Sequence, residues 1–247
     1  MAVHADRLPR RRTGGGADPY ELPRQRRGTT PQMHGRYPDY DVLEQAGHWD
    51  EVTRRMVLAR VQSVPEIRFF SAAEAATLTA LTDQLTAQDS EPRIPLINFV
   101  DEKYAAGELD GYVYDDMPDD PEAWRLVARG LDEEAQRRSG AASFAVAGEE
   151  VQRAIVGDFA DANLHGGAWE QLNVKRAFAL VMRVTLSCFY SHPWAWNEIG
   201  FGGPAYPRGY SRFGSPQLQD AERESWEGRE AIDIDPTSGR RERPPRG

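Results

Sequence analysis

The residues through which this chain could act on a substrate are few. Beyond the first forty positions it carries three histidines (His48, His165 and His192), one cysteine (Cys188) and an acidic run from Glu108 to Asp120. Histidine titrates closest to neutral pH and serves as general base or metal ligand. These three, however, are far apart in sequence and none sits at the short helical spacing of a zinc site. His165 precedes Gly166-Gly167, where a role at a helix end accounts for it. A catalytic site built from Tyr190, His165, His192 and Glu198 would need a convergence in space that no motif announces. Cys188 lies between Leu186 and Phe189 in an apolar helical pattern and reads as a small buried thiol. A lone cysteine leaves no intramolecular disulfide framework, Cys-rich zinc site or c-type haem attachment. The acidic run does not follow the spacing of a calcium loop. It reads as a solvated surface with a helix cap at its end. Glycine-rich phosphate loops, a Walker lysine and a nucleophile elbow are all missing, so the chain's own residues imply no flavin, nucleotide or metal.

A second set of residues has a different chemistry. Tyr190, His192, Trp194, Trp196, Phe201, Tyr206, Arg208 and Tyr210 crowd one C-terminal stretch, interleaved with glycine and proline. Tryptophan, tyrosine and arginine are the types that anchor protein–protein interfaces, which makes these eight the candidate partner-binding residues. The same rings would equally serve to pin the segment over a helical core, and the spacing does not choose between the two.

Positioning any of these residues falls to helices. Trp49, Val52, Met56 and Ala59 recur at three- and four-residue spacing from Gly47 to just before Pro65. Ser71-Ala-Ala-Glu74 is a capping box, followed by a face of Ala75, Leu78, Leu81 and Leu85. Pro95 opens a third helix through Ile97, Val100 and Tyr104 to Gly107. Asp120 as N-cap, with Pro121 and Glu122 behind it, starts a fourth that runs to about Arg137. A fifth is expected over Glu149–Phe159. The sixth, about Trp169 to Phe189, is the most apolar, with Leu172, Ala179, Leu180, Val184 and Leu186 placing it centrally. After Tyr190 the aromatic and Gly/Pro-rich segment reads as packed but irregular. No comparable strand pattern occurs, so the expected fold is all-α, an irregular bundle of about six helices.

Composition sets the outer bounds. The 247 residues are 40% hydrophobic and 28% charged, with mean hydropathy −0.65, and no apolar run is long enough to span a membrane. Residues 1–40 hold eight arginines against four acids, a net +4, in an Arg/Gly/Pro-rich context, whereas Asp101–Glu134 holds twelve acids against Lys103, Arg125 and Arg129, a net −9. An acidic body does not bind nucleic acid by counterion release. The expected organisation is a disordered basic arm (1–44), a helical domain (45–215) and a disordered charged tail (216–247). Neither Arg10–Arg12 nor Arg54-Arg55 is followed by an apolar export segment. A cytoplasmic chain is therefore expected, periplasmic only if exported together with a partner.

Phe189-Tyr190-Ser191-His192-Pro193 and then Trp196-Asn197-Glu198-Ile199-Gly200-Phe201-Gly202-Gly203-Pro204 resemble the C-terminal signature of the gluconate 2-dehydrogenase subunit 3 family, where a helix ends in Tyr-x-x-Pro and a Trp/Gly-rich turn contains Ile-Gly-Phe. The Phe69–Leu85 helix with its Ser71 cap is similar too, and the likeness spans about Glu66 to Tyr210. The resemblance implies a helical, non-catalytic accessory subunit that stabilises and matures a large FAD-dependent oxidoreductase of the glucose-methanol-choline type. FAD would reside in that partner, and a membrane-attached cytochrome c often completes the complex. Two alternatives stand beside it: an independent enzyme using the His/Glu set above, and a standalone regulatory binding protein.

Overall fold

The computed structural model describes residues 41–204 apart from 90, 110, 200 and 202, together with the backbone of 234–235 and 239–240. The expected arm over 1–40 and most of the expected tail lie outside the described residues, as do 205–215 of the expected domain. Among the described residues seven α-helices are present: α1 Glu51–Gln62, α2 Ala72–Thr86, α3 Leu96–Ala105, α4 Asp120–Ser139, α5 Glu149–Ala160, α6 Val174–Phe189 and α7 Pro193–Ile199. Strand structure among the described residues is limited to one antiparallel pair, β1 Ile234–Asp235 with β2 Gly239–Arg240. The chain divides into two compact units, one of Val64–Phe189 and one drawing on Met1–Ser63 and Tyr190–Gly247.

The Val64–Phe189 unit is the helical bundle. Helix α4 packs against α2, α5, α6 and a short 3₁₀ helix at Gly167–Gln171, while α3 packs on α2 and α6. Its core centres on Phe70, Tyr104 and Trp124, whose ring centroids lie 6.3–6.5 Å apart, with Leu78, Leu81, Val100 and Leu131 around them. The Ser71 capping box forms in full: its Oγ accepts from the Glu74 amide at 3.3 Å, and the Ser71 amide donates to the Glu74 carboxylate at 2.8 Å. Ala75, Leu78 and Leu81 are buried as expected, and Leu85 packs against the core from a half-buried position.

Two helix starts in this unit differ from expectation, each for a local reason. The cap of α4 is Asp119, one residue earlier than Asp120, because its carboxylate accepts from the Glu122 amide at 2.9 Å. The sixth helix is shorter than predicted. Trp169 sits in the 3₁₀ turn, Leu172 is extended, and α6 starts only where Asn173 accepts from the Arg176 amide at 3.1 Å. A side-chain acceptor of this kind competes with helix continuation and so marks its start. Ala179, expected on the inner face, is exposed, whereas Ala177, Leu180, Val181 and Val184 are buried. Cys188 is half-buried.

In the other unit, residues 41–44, expected in the arm, belong to folded structure: Val42–His48 form a 3₁₀ helix that packs with α7, and α7 also packs with α1. The expected apolar stripe of α1 is not its buried face. Asp50 caps the helix by accepting from the Thr53 amide at 3.0 Å, which leaves Trp49 outside it in extended backbone. Val57, Leu58 and Val61 are then buried, while Val52 and Met56 are exposed. The segment expected to be irregular after Tyr190 contains α7, opened by Pro193, whose fixed φ and missing N–H suit the first turn of a helix.

Candidate docking surfaces

Two regions test where a partner could bind. In the first, the aromatic C-terminal segment, the side chains turn inward. Trp194 is 8% exposed, Trp196 7% and His192 2%. The Trp196 indole N–H donates to the Tyr190 carbonyl at 2.6 Å, and its ring meets Phe201 edge-on at 5.5 Å. Asn197 reaches the 3₁₀ helix near the start of the described chain: its Oδ1 accepts from the Val42 amide at 2.7 Å, and its Nδ2 donates to the Asp41 carboxylate at 3.5 Å. Gly203 closes the same latch. It has φ +80°, and a Cβ there would stand 2.8 Å from Val42 Cγ2 and 3.0 Å from Trp49 Cζ2, so both the backbone and the space require glycine. This segment joins the two ends of its unit and, among the described residues, offers only Tyr190 as an exposed ring and Phe201 as a half-buried one. Tyr206, Arg208 and Tyr210 lie outside the described residues.

His192 is spent on that latch. Its Nδ1 accepts from the Trp194 amide at 3.2 Å, which leaves Nε2 to donate to the Arg60 carbonyl at 3.2 Å, while the Arg60 guanidinium bonds the Ser191 carbonyl. Both ring nitrogens are occupied in the neutral tautomer, so taking up a proton or a metal would break the hydrogen bond from the Trp194 amide. Burial pushes the imidazole pKa down to about 3, with the nearby Arg60 charge adding to the effect. A base whose folded pKa lies below its unfolded value keeps its full stabilising contribution above pH 6.5. That contribution is lost as pH falls from 6.5 towards 3. We expect tryptophan fluorescence, sensitive to Trp194, whose ring meets His192 edge-on at 4.8 Å, to report loosening over that window, and the change to flatten in His192→Gln. A histidine titrating near 6.5 with no loss of structure would contradict this. His165 is exposed in the other unit, and the Glu198 side chain lies outside the described residues. Among the described residues no group of three or more His, Cys, Asp and Glu could hold a metal ion.

The second region lies in the bundle unit, on the connection from α3 to α4. Tyr112 is 66% exposed, Val113 52% and Tyr114 49%, with Leu109 also exposed. The two tyrosine rings meet edge-on at 5.6 Å. The Arg176 guanidinium lies 3.9 Å over Tyr114 and is held by Asp116, which also accepts from Asn173 Nδ2 at 2.8 Å. Asn173 is the cap of α6, so the start of that helix fixes the arginine, and the arginine fixes the ring. Tyr112, Val113, Tyr114 and Arg176, together with Met117, Leu180 and Arg183, line a cleft of about 250 Å³. Charge dominates the sequence here and hides the apolar residues. The available signal was Leu109, Tyr112, Val113 and Tyr114 falling close together on no helical or strand period.

Residues 72–203, more than half of the chain, match the family described as gluconate 2-dehydrogenase subunit 3. The chain belongs to that family, whose description is of an accessory subunit of a dehydrogenase complex. No curated protein and no solved structure matches the chain. The match spans the Ser71-capped helix, most of the bundle unit and the Asn197 and Gly203 contacts, so the family signature coincides with residues that hold each unit's own packing.

Proposed function

We propose that this chain is the non-catalytic small subunit that binds and stabilises the flavin-carrying large subunit of a sugar or alcohol dehydrogenase complex. Family membership over residues 72–203 carries the reading. Support also comes from His192, whose ring nitrogens are both engaged in structural hydrogen bonds. In this reading FAD and the oxidation chemistry belong to the large glucose-methanol-choline-type subunit, and a cytochrome c subunit takes the electrons onward. In this reading the complex is cytoplasmic, or periplasmic if the chain is exported together with the large one. The mechanism is mass action: a ligand of the folded partner at about 100 times its Kd stabilises that partner by about 2.7 kcal/mol.

Co-purification from the native host tests this directly. A tagged chain should elute with a larger polypeptide and with the visible absorbance of oxidised flavin. The large subunit expressed without this chain should melt at a lower temperature and recover when the chain is added. A colourless eluate holding the 27.7 kDa chain alone would refute the reading, and turnover by that lone chain would replace it with an enzymatic one.

A further inference from the structure

We infer that the large subunit docks on the Tyr112–Tyr114 surface, and that it presents there an apolar centre rimmed by lysine or arginine. The inference rests on the accessory-subunit reading and adds to it the place and the chemistry of contact. Four of the ten large hydrophobic residues exposed among the described positions, Leu109, Tyr112, Val113 and Tyr114, fall within six positions of one loop. Exposed apolar residues scattered singly need no explanation, but a contiguous group beside a cleft marks an interaction site.

The surface is also prepared in advance. Arg176 stacks on Tyr114 and is tied to Asp116, which is tied in turn to the cap of α6. Rings held in one orientation before binding lose little entropy on contact, which favours them as anchors. Trp194 and Trp196 are buried and cannot present their rings to a partner.

Charge selects the occupant. Residues 107–119 carry Glu108, Asp110, Asp115, Asp116 and Asp119 and no lysine or arginine. The two arginines of the cleft face carboxylates of their own: Arg176 bonds Asp116, and Arg183 lies 3.8 Å from Asp120. An isologous dimer through this face would set two acidic loops against each other. Like charges meeting across an interface cost several kcal/mol, whereas a basic rim is attracted and its encounter accelerated. The same repulsion turns away nucleic acid and anionic lipid.

The test titrates the full chain against the flavin-loaded large subunit, with three double variants. Tyr112→Ser/Tyr114→Ser should weaken binding about 100-fold. Glu108→Lys/Asp115→Lys should slow association and flatten its dependence on salt. Val52→Ser/Met56→Ser, on the exposed face of α1, should bind like the wild type. All the substituted residues are exposed, and circular dichroism would show whether each variant is folded. If the wild type binds and the folded tyrosine variant binds equally well, the docking surface is wrong while the accessory-subunit reading stands. A wild type that does not bind the large subunit at all would remove that reading, and this inference with it. Self-association of the chain that disappears in the tyrosine variant would assign the surface to a second copy and also overturn the inference.

Discussion

Asp101→Ala should destabilise the Val64–Phe189 unit by about 4 kcal/mol, because it strips the only described acceptor from three adjacent backbone donors. The Asp101 carboxylate is fully buried. One oxygen accepts from the Arg68 amide at 2.7 Å, and the other accepts from Phe69 and Phe70 at 2.9 and 2.8 Å. The chain over 68–70 has no regular partner for these amides, so the carboxylate on α3 replaces the missing ladder. It also fixes Phe70 against Tyr104 and Trp124, and Phe69 beneath the Arg125 guanidinium at 4.1 Å. Asp101→Asn is the informative comparison. Its carbonyl oxygen can still serve Phe69 and Phe70, but its NH₂ then confronts the Arg68 N–H, so about half of the loss is expected. Urea unfolding of the three proteins should rank wild type, asparagine and alanine in descending stability. Equal midpoints for wild type and alanine would mean that water satisfies these amides as well as the carboxylate does.

The second large effect concerns a glycine inside a helix. Gly130 lies in mid-α4, where glycine costs about 1 kcal/mol relative to alanine, so its presence has to be explained by contact. A Cβ at this position would stand 2.5 Å from Cε2 and 2.7 Å from Cζ2 of Trp169. Trp169 is buried and packs against Phe159 at a centroid distance of 5.2 Å, so the indole has little room to retreat. Gly130→Ala should therefore destabilise by about 2 kcal/mol in spite of its better helix propensity. Trp169→Ala should cost about 4 kcal/mol through the cavity it leaves. In the double variant the new methyl group enters space the indole has vacated, so the two effects should fall short of additivity by at least 1 kcal/mol. Strict additivity would show that the ring does not rest on Gly130.

How far these features were legible depends on how local their causes are. The α2 capping box was readable because Ser71 and Glu74 act on each other's amides within one turn, whatever else surrounds them. Helix α3 was readable from Pro95 and Gly107 at its ends and the apolar residues between them. The α1 face was misplaced because Val52 and Met56 are apolar at the right period but point away from what the helix packs on. That choice depends on the Asp50 cap and on neighbours distant in sequence. Trp194 and Trp196 offered interface chemistry without direction, and a ring's type does not say whether it faces water.

The all-helical class, the capping box, the acidic character of the α3–α4 connection and the family signature were determined by the amino-acid order itself, since each rests on neighbours within a few residues or on composition. Asp101 beneath the Arg68–Phe70 amides, Gly130 against Trp169, and Asn197 on Val42 join positions separated by 31 to 155 residues. They exist because packing brings those positions together. The same is true of the docking surface. Tyr112 and Tyr114 form an anchor only once the capped end of α6 places Arg176 over the ring, and no periodicity in the chain encodes that encounter.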